Sequence, residues 1–106
     1  MLEPEQVEVV EGRAEVRKLI KVGRSVIAGS YVTDGRIVRN GGARLWRGGK
    51  VIVTDRIDSL RRVKDDVREV QTGFECGIGL ADTTDIVEGD VIECFTTQTV
   101  SRSALN

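Results

Sequence analysis

Three cations and a cysteine lie close together in the second half of the chain, where they are the best candidates for binding chemistry. Guanidinium and ammonium groups bind phosphates through charge-assisted hydrogen bonds, and a cysteine sulfur beside a glycine offers a soft, shallow contact for a thioether. The two clusters together predict a small hollow for an anionic ligand that carries an apolar group. The residues concerned are Arg61, Arg62, Lys64, Glu75, Cys76 and Gly77.

The chain contains no histidine and only two cysteines, which excludes several kinds of site. A structural zinc site needs four Cys or His ligands, and Cys–His nucleophilic catalysis needs a histidine base. Because nothing else in the sequence suggests secretion, we expect Cys76 and Cys94 to be free thiols in a reducing compartment. The sequence also lacks a GxxxxGK[ST] loop, so we expect no nucleotide hydrolysis by this chain.

Charge is segregated along the sequence although the net charge is only -1. Residues 1–11 carry four acids and no base, residues 12–72 carry 15 bases against 7 acids, and residues 73–106 carry one base against 6 acids. A basic middle of this size predicts a surface that faces a polyanion. The alternative is a mixed surface without a net field, because distant segments interleave in a small barrel.

Short β-rich runs between turn signals supply the elements that must position these residues. Alternation after Gly12 predicts a half-buried strand. Its apolar positions are Ala14, Val16, Ile20 and Val22, and its polar positions are Glu15, Arg17 and Lys21. Gly48-Gly49 predicts a two-residue hairpin, and the run from Phe74 to Ala81 predicts a strand with open space at its glycines.

Two segments leave alternatives open. Asp34-Gly35 is either a hairpin turn or a bend within one long strand. Residues 64–72 are either a single helical turn, because Val67 and Val70 are three positions apart, or a structured loop.

At 106 residues, with 4% aromatic side chains, the chain predicts one all-β domain with an aliphatic core. Six or seven short strands favour a closed β-barrel over a sandwich, and we place it at residues 13–101. Residues 1–12 are predicted to be an acidic tether or the tail of a preceding linker, and residues 102–106 a frayed C-terminus. No apolar run is long enough to span a membrane.

Four motifs resemble the C-terminal subdomain of bacterial-type translation initiation factor 2, in that family's order and spacing. They are GSYVTDGRIVRN (29–40), IDSLRRVKDDVREV (57–70), GFECGIG (73–79) and EGDVIE (88–93). The resemblance covers residues 13–101 and implies a six-stranded β-barrel similar to domain II of elongation factor Tu. It also favours the bent strand at Asp34-Gly35.

The resemblance further implies a non-catalytic domain that binds the formylmethionine and CCA end of initiator tRNA. It implies initiator formylmethionyl-tRNA and the ribosome as partners, a monomeric domain in the cytoplasm or an organelle stroma or matrix, and no cofactor here, GTP being bound by the parent factor. The site residues that it implies are Ser30, Arg61, Arg62, Val63, Lys64, Glu75, Cys76 and Gly77.

Two of these positions depart from the family pattern. Many relatives carry cysteine where this chain has Ser30, a nearly isosteric change, and an aromatic residue where it has Val63. We therefore expect Val63 to act as an apolar wall. The open alternatives are an interaction barrel that docks on ribosomal RNA or protein without reading the aminoacyl group, and a thiol enzyme that uses Cys76.

Overall fold

The computed structural model describes residues 5–62 and 65–100, and within these ranges the chain forms eight β-strands and no helix. The all-β prediction is therefore confirmed. No helix capable of crossing a membrane occurs in the described ranges. The strands are β1 (Glu5–Val22), β2 (Ser25–Val38), β3 (Gly42–Arg47), β4 (Lys50–Arg62), β5 (Asp65–Asp66), β6 (Glu69–Gln71), β7 (Glu75–Leu80) and β8 (Val91–Val100).

Six of the strands pair in a closed ring. The order is β1, β8, β3, β4, β7, β2 and back to β1, and every pair is antiparallel. The two short strands lie outside the ring, β5 against β4 and β6 against β2. This arrangement agrees with the predicted barrel of six or seven strands, because ring closure removes the free edges of a small sheet.

The interior of the ring is aliphatic, as the low aromatic content predicted. Successive side chains of a strand point to opposite faces, and a bulge shifts this alternation in β4, where Ile57 and Leu60 are both buried. Large side chains that are fully buried include Ile37, Leu45, Ile57, Leu60, Ile78 and Ile92.

The first strand starts earlier than the sequence predicted. We expected residues 1–12 to be a tether, but β1 begins at Glu5, which pairs with Val100 of β8. The acidic residues do not keep this segment off the sheet because neighbouring strands supply cations. The Glu11 carboxylate, for example, accepts a hydrogen bond of 3.0 Å from the Arg36 guanidinium.

The structure decides both predictions about glycine-containing turns. The Gly48-Gly49 hairpin is confirmed, with φ values of 61° and 81° that suit glycine. β2 continues through Asp34-Gly35, so this dipeptide is a bend in one long strand.

Of the two alternatives for residues 64–72, the helical turn is wrong for the part that the structure describes. There β5 and β6 each add a short strand to the sheet, and Val70 packs into the core opposite Ile37. The predicted frayed end, residues 102–106, lies outside the described residues.

Candidate ligand-binding groove

An open groove of about 880 Å³ crosses four neighbouring strands of the ring, β1, β2, β7 and the end of β4. The structure brings together at this groove all the predicted site residues that it describes. Val63 and Lys64, which the sequence also placed in the site, lie outside the described ranges. The six that line the groove are Ser30, Arg61, Arg62, Glu75, Cys76 and Gly77.

Strand register places one cation on each side of a shallow trough formed by two glycines. Lys18 pairs with Gly29, Gly29 with Gly77, and Gly77 with Arg61, so the four residues form one row across the strands. The backbones of the outer two residues are three strand spacings apart, roughly 14 Å. Because the central pair has no side chains, the row is a shallow channel with a positive charge on each bank.

The adjacent row is aliphatic. Ile20 lies opposite Ile27, which in turn lies opposite Gly79 of β7. The Ile27 side chain leans over the glycines, because a Cβ built on Gly77 would lie 2.9 Å from its Cγ2 atom. Val22, at the end of β1 beside the β1–β2 turn, is a further apolar residue that lines this end of the groove.

A β-bulge at Arg17 explains how β1 contributes to the groove. Val16 pairs with Ser30 and Lys18 with Gly29, so Arg17 is an extra residue on β1. A bulge of this kind re-aims the side chains that follow it. Uniform alternation predicted that Ile20 would be buried with Val16, but the bulge reverses the pattern and leaves Ile20 exposed by 44%.

The prediction that Val22 belongs to a buried face is also wrong, and for the same reason. Val22 is 59% exposed. The bulge therefore converts the end of β1 from a core strand into a wall of the groove, which the sequence reasoning missed. The only signal in the sequence was the pair of adjacent cations, Arg17-Lys18, within an otherwise alternating run.

Two arginine–aromatic pairs lie at the other end of the groove. The Arg17 guanidinium carbon is 4.8 Å from the centre of the Tyr31 ring, and that of Arg62 is 4.1 Å from the centre of the Phe74 ring. A guanidinium stacked on a ring keeps its edge N–H groups free for phosphate. Stacking therefore holds both arginines in place, and Arg17 also has the exposed Glu15 carboxylate at 4.0 Å.

Ser30 and Cys76 are paired across β2 and β7 and are both buried. The Ser30 hydroxyl donates a hydrogen bond of 3.0 Å to the Ala28 carbonyl. Cys76 is 5% exposed and packs with the hydrophobic core. Most of the accessible floor therefore comes from glycine backbone and Ile27, and only a small part from the sulfur.

Burial also determines the chemistry of the thiol. It raises the pKa of Cys76 to about 12, so the thiol is protonated at neutral pH. The nucleophilic form of cysteine is the thiolate. Cys76 therefore lacks the activation that a thiol enzyme would need.

The remaining charges at the groove are exposed. Arg61 forms a surface ion pair with Asp66 at 3.0 Å, and Lys18 forms no ion pair with any described residue. Glu75 is the one acid among the described lining residues, and it lies opposite Tyr31. Cations thus predominate along the groove.

Comparison with known proteins supports the resemblance found in the sequence. No protein-family model matches the chain. The chain is 52% identical over 103 residues to translation initiation factor IF-2 of Oceanobacillus iheyensis, which covers 96% of this chain and 15% of that protein. It is 52% identical over 103 residues to the same factor of Alkaliphilus metalliredigens, with the same coverage. It is 53% identical over 104 residues to that of Geobacillus stearothermophilus, covering 97% of this chain and 14% of the relative.

The chain therefore spans about 15% of the length of the curated relatives that it matches. The similarity is nearly continuous along the chain, whereas most of each relative has no counterpart here. The predicted resemblance to the C-terminal subdomain of translation initiation factor 2 is confirmed at this level.

Proposed function

We propose, from the similarity of this chain to the C-terminal domain of translation initiation factor IF-2, that it binds the 3′ end of initiator tRNA and recognises the attached formylmethionyl group. Its partners are then initiator formylmethionyl-tRNA and, through the longer protein, the ribosome. The domain works as a monomer in the cytoplasm or in an organelle stroma or matrix. It needs no cofactor of its own, and GTP is bound by the parent factor.

The groove is the observation that carries this proposal. A glycine trough lies between Lys18 and Arg61, and Arg17 and Arg62 are stacked on aromatic rings at one end. The terminal nucleotides bring phosphates, each of which gains roughly 1.5–3 kcal/mol from a charge-assisted hydrogen bond before screening. The esterified amino acid brings an amide and an apolar chain, which fit a shallow and largely uncharged channel.

The formyl group matters because it removes a charge. A free α-amino group enters as an ammonium, and burying an ammonium without a carboxylate is strongly unfavourable. A formylated amine is a neutral amide that hydrogen-bonds to strand backbone. The domain binds and shields the ester and does not catalyse its reaction, consistent with the protonated Cys76 thiol.

A titration of this chain with three forms of initiator tRNA tests the proposal. We expect the affinity to decrease from formylmethionyl-tRNA to methionyl-tRNA to uncharged tRNA. Chemical-shift mapping should show changes at Cys76 and Arg62 that require the formylated ligand. Equal affinity for all three forms would favour the alternative, a barrel that docks on ribosomal RNA or protein without reading the aminoacyl group.

A further inference from the structure

The two ends of the groove differ in chemistry, and this difference gives the ligand a direction. We propose that the aliphatic end, formed by Ile20, Val22 and Ile27, binds the amino-acid side chain, while Tyr31 and Phe74 with their arginines receive the terminal nucleotides. This inference rests on the proposed function. It adds residues to the site that neither the cationic segment nor the cysteine motif pointed to.

The exposure of the aliphatic end supports its assignment. Ile20 is 44% exposed and Val22 is 59% exposed, although Ala14 and Val16 before the bulge in the same strand are buried. They adjoin Ile27, and all three line the same groove as the cations. A cluster of exposed aliphatic side chains that continues a cationic trough suits a ligand with one apolar and one anionic part.

The opposite end suits nucleotides. Tyr31 and Phe74 are two of the four aromatic residues in the chain, and each carries a stacked arginine at this end. Bases stack on aromatic rings and on guanidinium planes, and the same arginines are within reach of the linking phosphates. Between the two ends, the Gly29–Gly77 pair, with Ile27 packed against Gly77, is the position for the ester and the amide.

The position of Glu75 agrees with this direction. Glu75 pairs with Tyr31, which is four residues along β2 from Ile27 and hence roughly 13 Å from the aliphatic end. The aliphatic end therefore has no carboxylate from the described lining residues close to it, which suits an uncharged amino-acid side chain.

The test measures the side-chain contribution separately from the rest of the ligand. Formylmethionyl-tRNA and formylglycyl-tRNA share the formyl group, the ester and the nucleotides, and only the first has a side chain. The wild-type chain should prefer the first by about tenfold. Ile20→Ser should reduce this preference to about twofold, because it should weaken the binding of formylmethionyl-tRNA much more than that of formylglycyl-tRNA. Ile52→Ser is a matched control at the distant β3–β4 hairpin, where Ile52 is 43% exposed.

A substitution at the nucleotide end should weaken the binding of every tRNA form and leave the preference for the methionyl side chain unchanged. Phe74→Leu keeps an apolar side chain on the surface but removes the ring, and it should weaken both charged tRNAs and uncharged tRNA by a similar factor of several-fold. A tenfold preference that survives Ile20→Ser but is lost in Phe74→Leu would overturn the direction alone. A wild-type chain that binds charged and uncharged tRNA equally would overturn the proposed function and the direction with it.

Discussion

The arginines of this molecule occupy two contrasting environments. Around β3 and β8 they pair with buried carboxylates. Both oxygens of Asp90, which is 1% exposed, accept hydrogen bonds of 2.9 Å from Arg47, and the buried Glu93 accepts from Arg13 and Arg44. At the groove the arginines stack on aromatic rings or form exposed ion pairs.

The arginines paired with buried carboxylates stabilise the fold, whereas those at the groove are available to a ligand. A buried ion pair that loses one partner leaves an uncompensated charge and destabilises strongly. An exposed pair contributes little, because water and salt screen it. The net charge of -1 hides this difference, since two acids of the C-terminal third, Asp90 and Glu93, neutralise cations away from the groove.

The largest expected effect is the loss of a buried partner. Asp90→Ala should lower the free energy of unfolding by about 1–3 kcal/mol, because the Val87 amide loses its acceptor while Arg47, which is 36% exposed, is partly rehydrated. Urea unfolding at pH 7 measures this loss. Asp66→Ala, which removes the exposed partner of Arg61, is the matched control and should change stability by less than about 0.5 kcal/mol. Equal losses in the two variants would abolish the distinction between the two environments.

Acid should weaken the same ion-paired region more gently. The hydrogen bonds from Arg47 hold the pKa of Asp90 below its usual 3.8, and those from Arg36 hold the pKa of Glu11 below 4.5. Because the folded pKa values are the lower ones, this stability is complete above the unfolded values and is lost as the pH falls through the folded values. We expect unfolding free energy to decline below about pH 4.5, by less than Asp90→Ala costs, since a protonated carboxyl keeps some hydrogen bonding.

Asp90→Asn gives the matched measurement, because asparagine cannot titrate. Urea unfolding at pH 7 and pH 3 should show a smaller decrease in this variant than in the wild-type chain. A decrease of the same size in both would mean that other groups control acid stability.

Arg62→Ala should act on binding rather than on folding. It removes a cation that is held over Phe74 by stacking, so the affinity for formylmethionyl-tRNA should fall about tenfold. Arg36→Ala is the control, because Arg36 is engaged by Glu11 and Glu69 away from the groove. It should leave the affinity unchanged and cost some stability. Unchanged affinity in Arg62→Ala at moderate salt would remove Arg62 from the site.

Much of the groove could be predicted from the sequence because its motifs are local. Ser30 and Cys76 come from separate motifs, yet strand pairing makes them direct neighbours. The aliphatic core, the Gly48-Gly49 hairpin and the Phe74–Ala81 strand also followed from residue patterns alone. Each of these depends on periodicity or turn chemistry that a few adjacent residues determine.

The wall contributed by β1 could not be predicted in this way. The bulge at Arg17 depends on register with β2, which is a long-range property, and a single extra residue moves Ile20 from the core face to the outer face. The Arg17–Tyr31 and Arg62–Phe74 stacks likewise join residues that are more than ten positions apart in the sequence. The start of β1 was missed because acidic composition suggested a tether, whereas its partners lie far along the chain.

Added salt should weaken tRNA binding at the groove more than it weakens the fold, and this effect should be smaller than that of Arg62→Ala. If two or three phosphates are bound by groove cations, doubling the salt from 100 to 200 mM should lower the tRNA affinity by about three- to fourfold. Stability should change much less, because the carboxylates of Asp90 and Glu93 are buried and salt screens them less than exposed charges. Binding isotherms and urea unfolding at the two salt concentrations test this, and a flat binding curve would refute a mode led by phosphates.

The smallest effect is expected at the thiols, where the two regions should behave alike. Burial raises the pKa of both Cys76 at the groove and Cys94 on β8, so neither should react with iodoacetamide at neutral pH as fast as free cysteine does. Mass spectrometry of the labelled chain, with Cys94→Ser to isolate Cys76, measures this rate. Faster labelling of Cys76 would revive the thiol enzyme. Slow labelling would mean that Cys76 behaves as an ordinary buried cysteine. Ligand binding at the groove would then depend on its cations, aromatic rings and glycines.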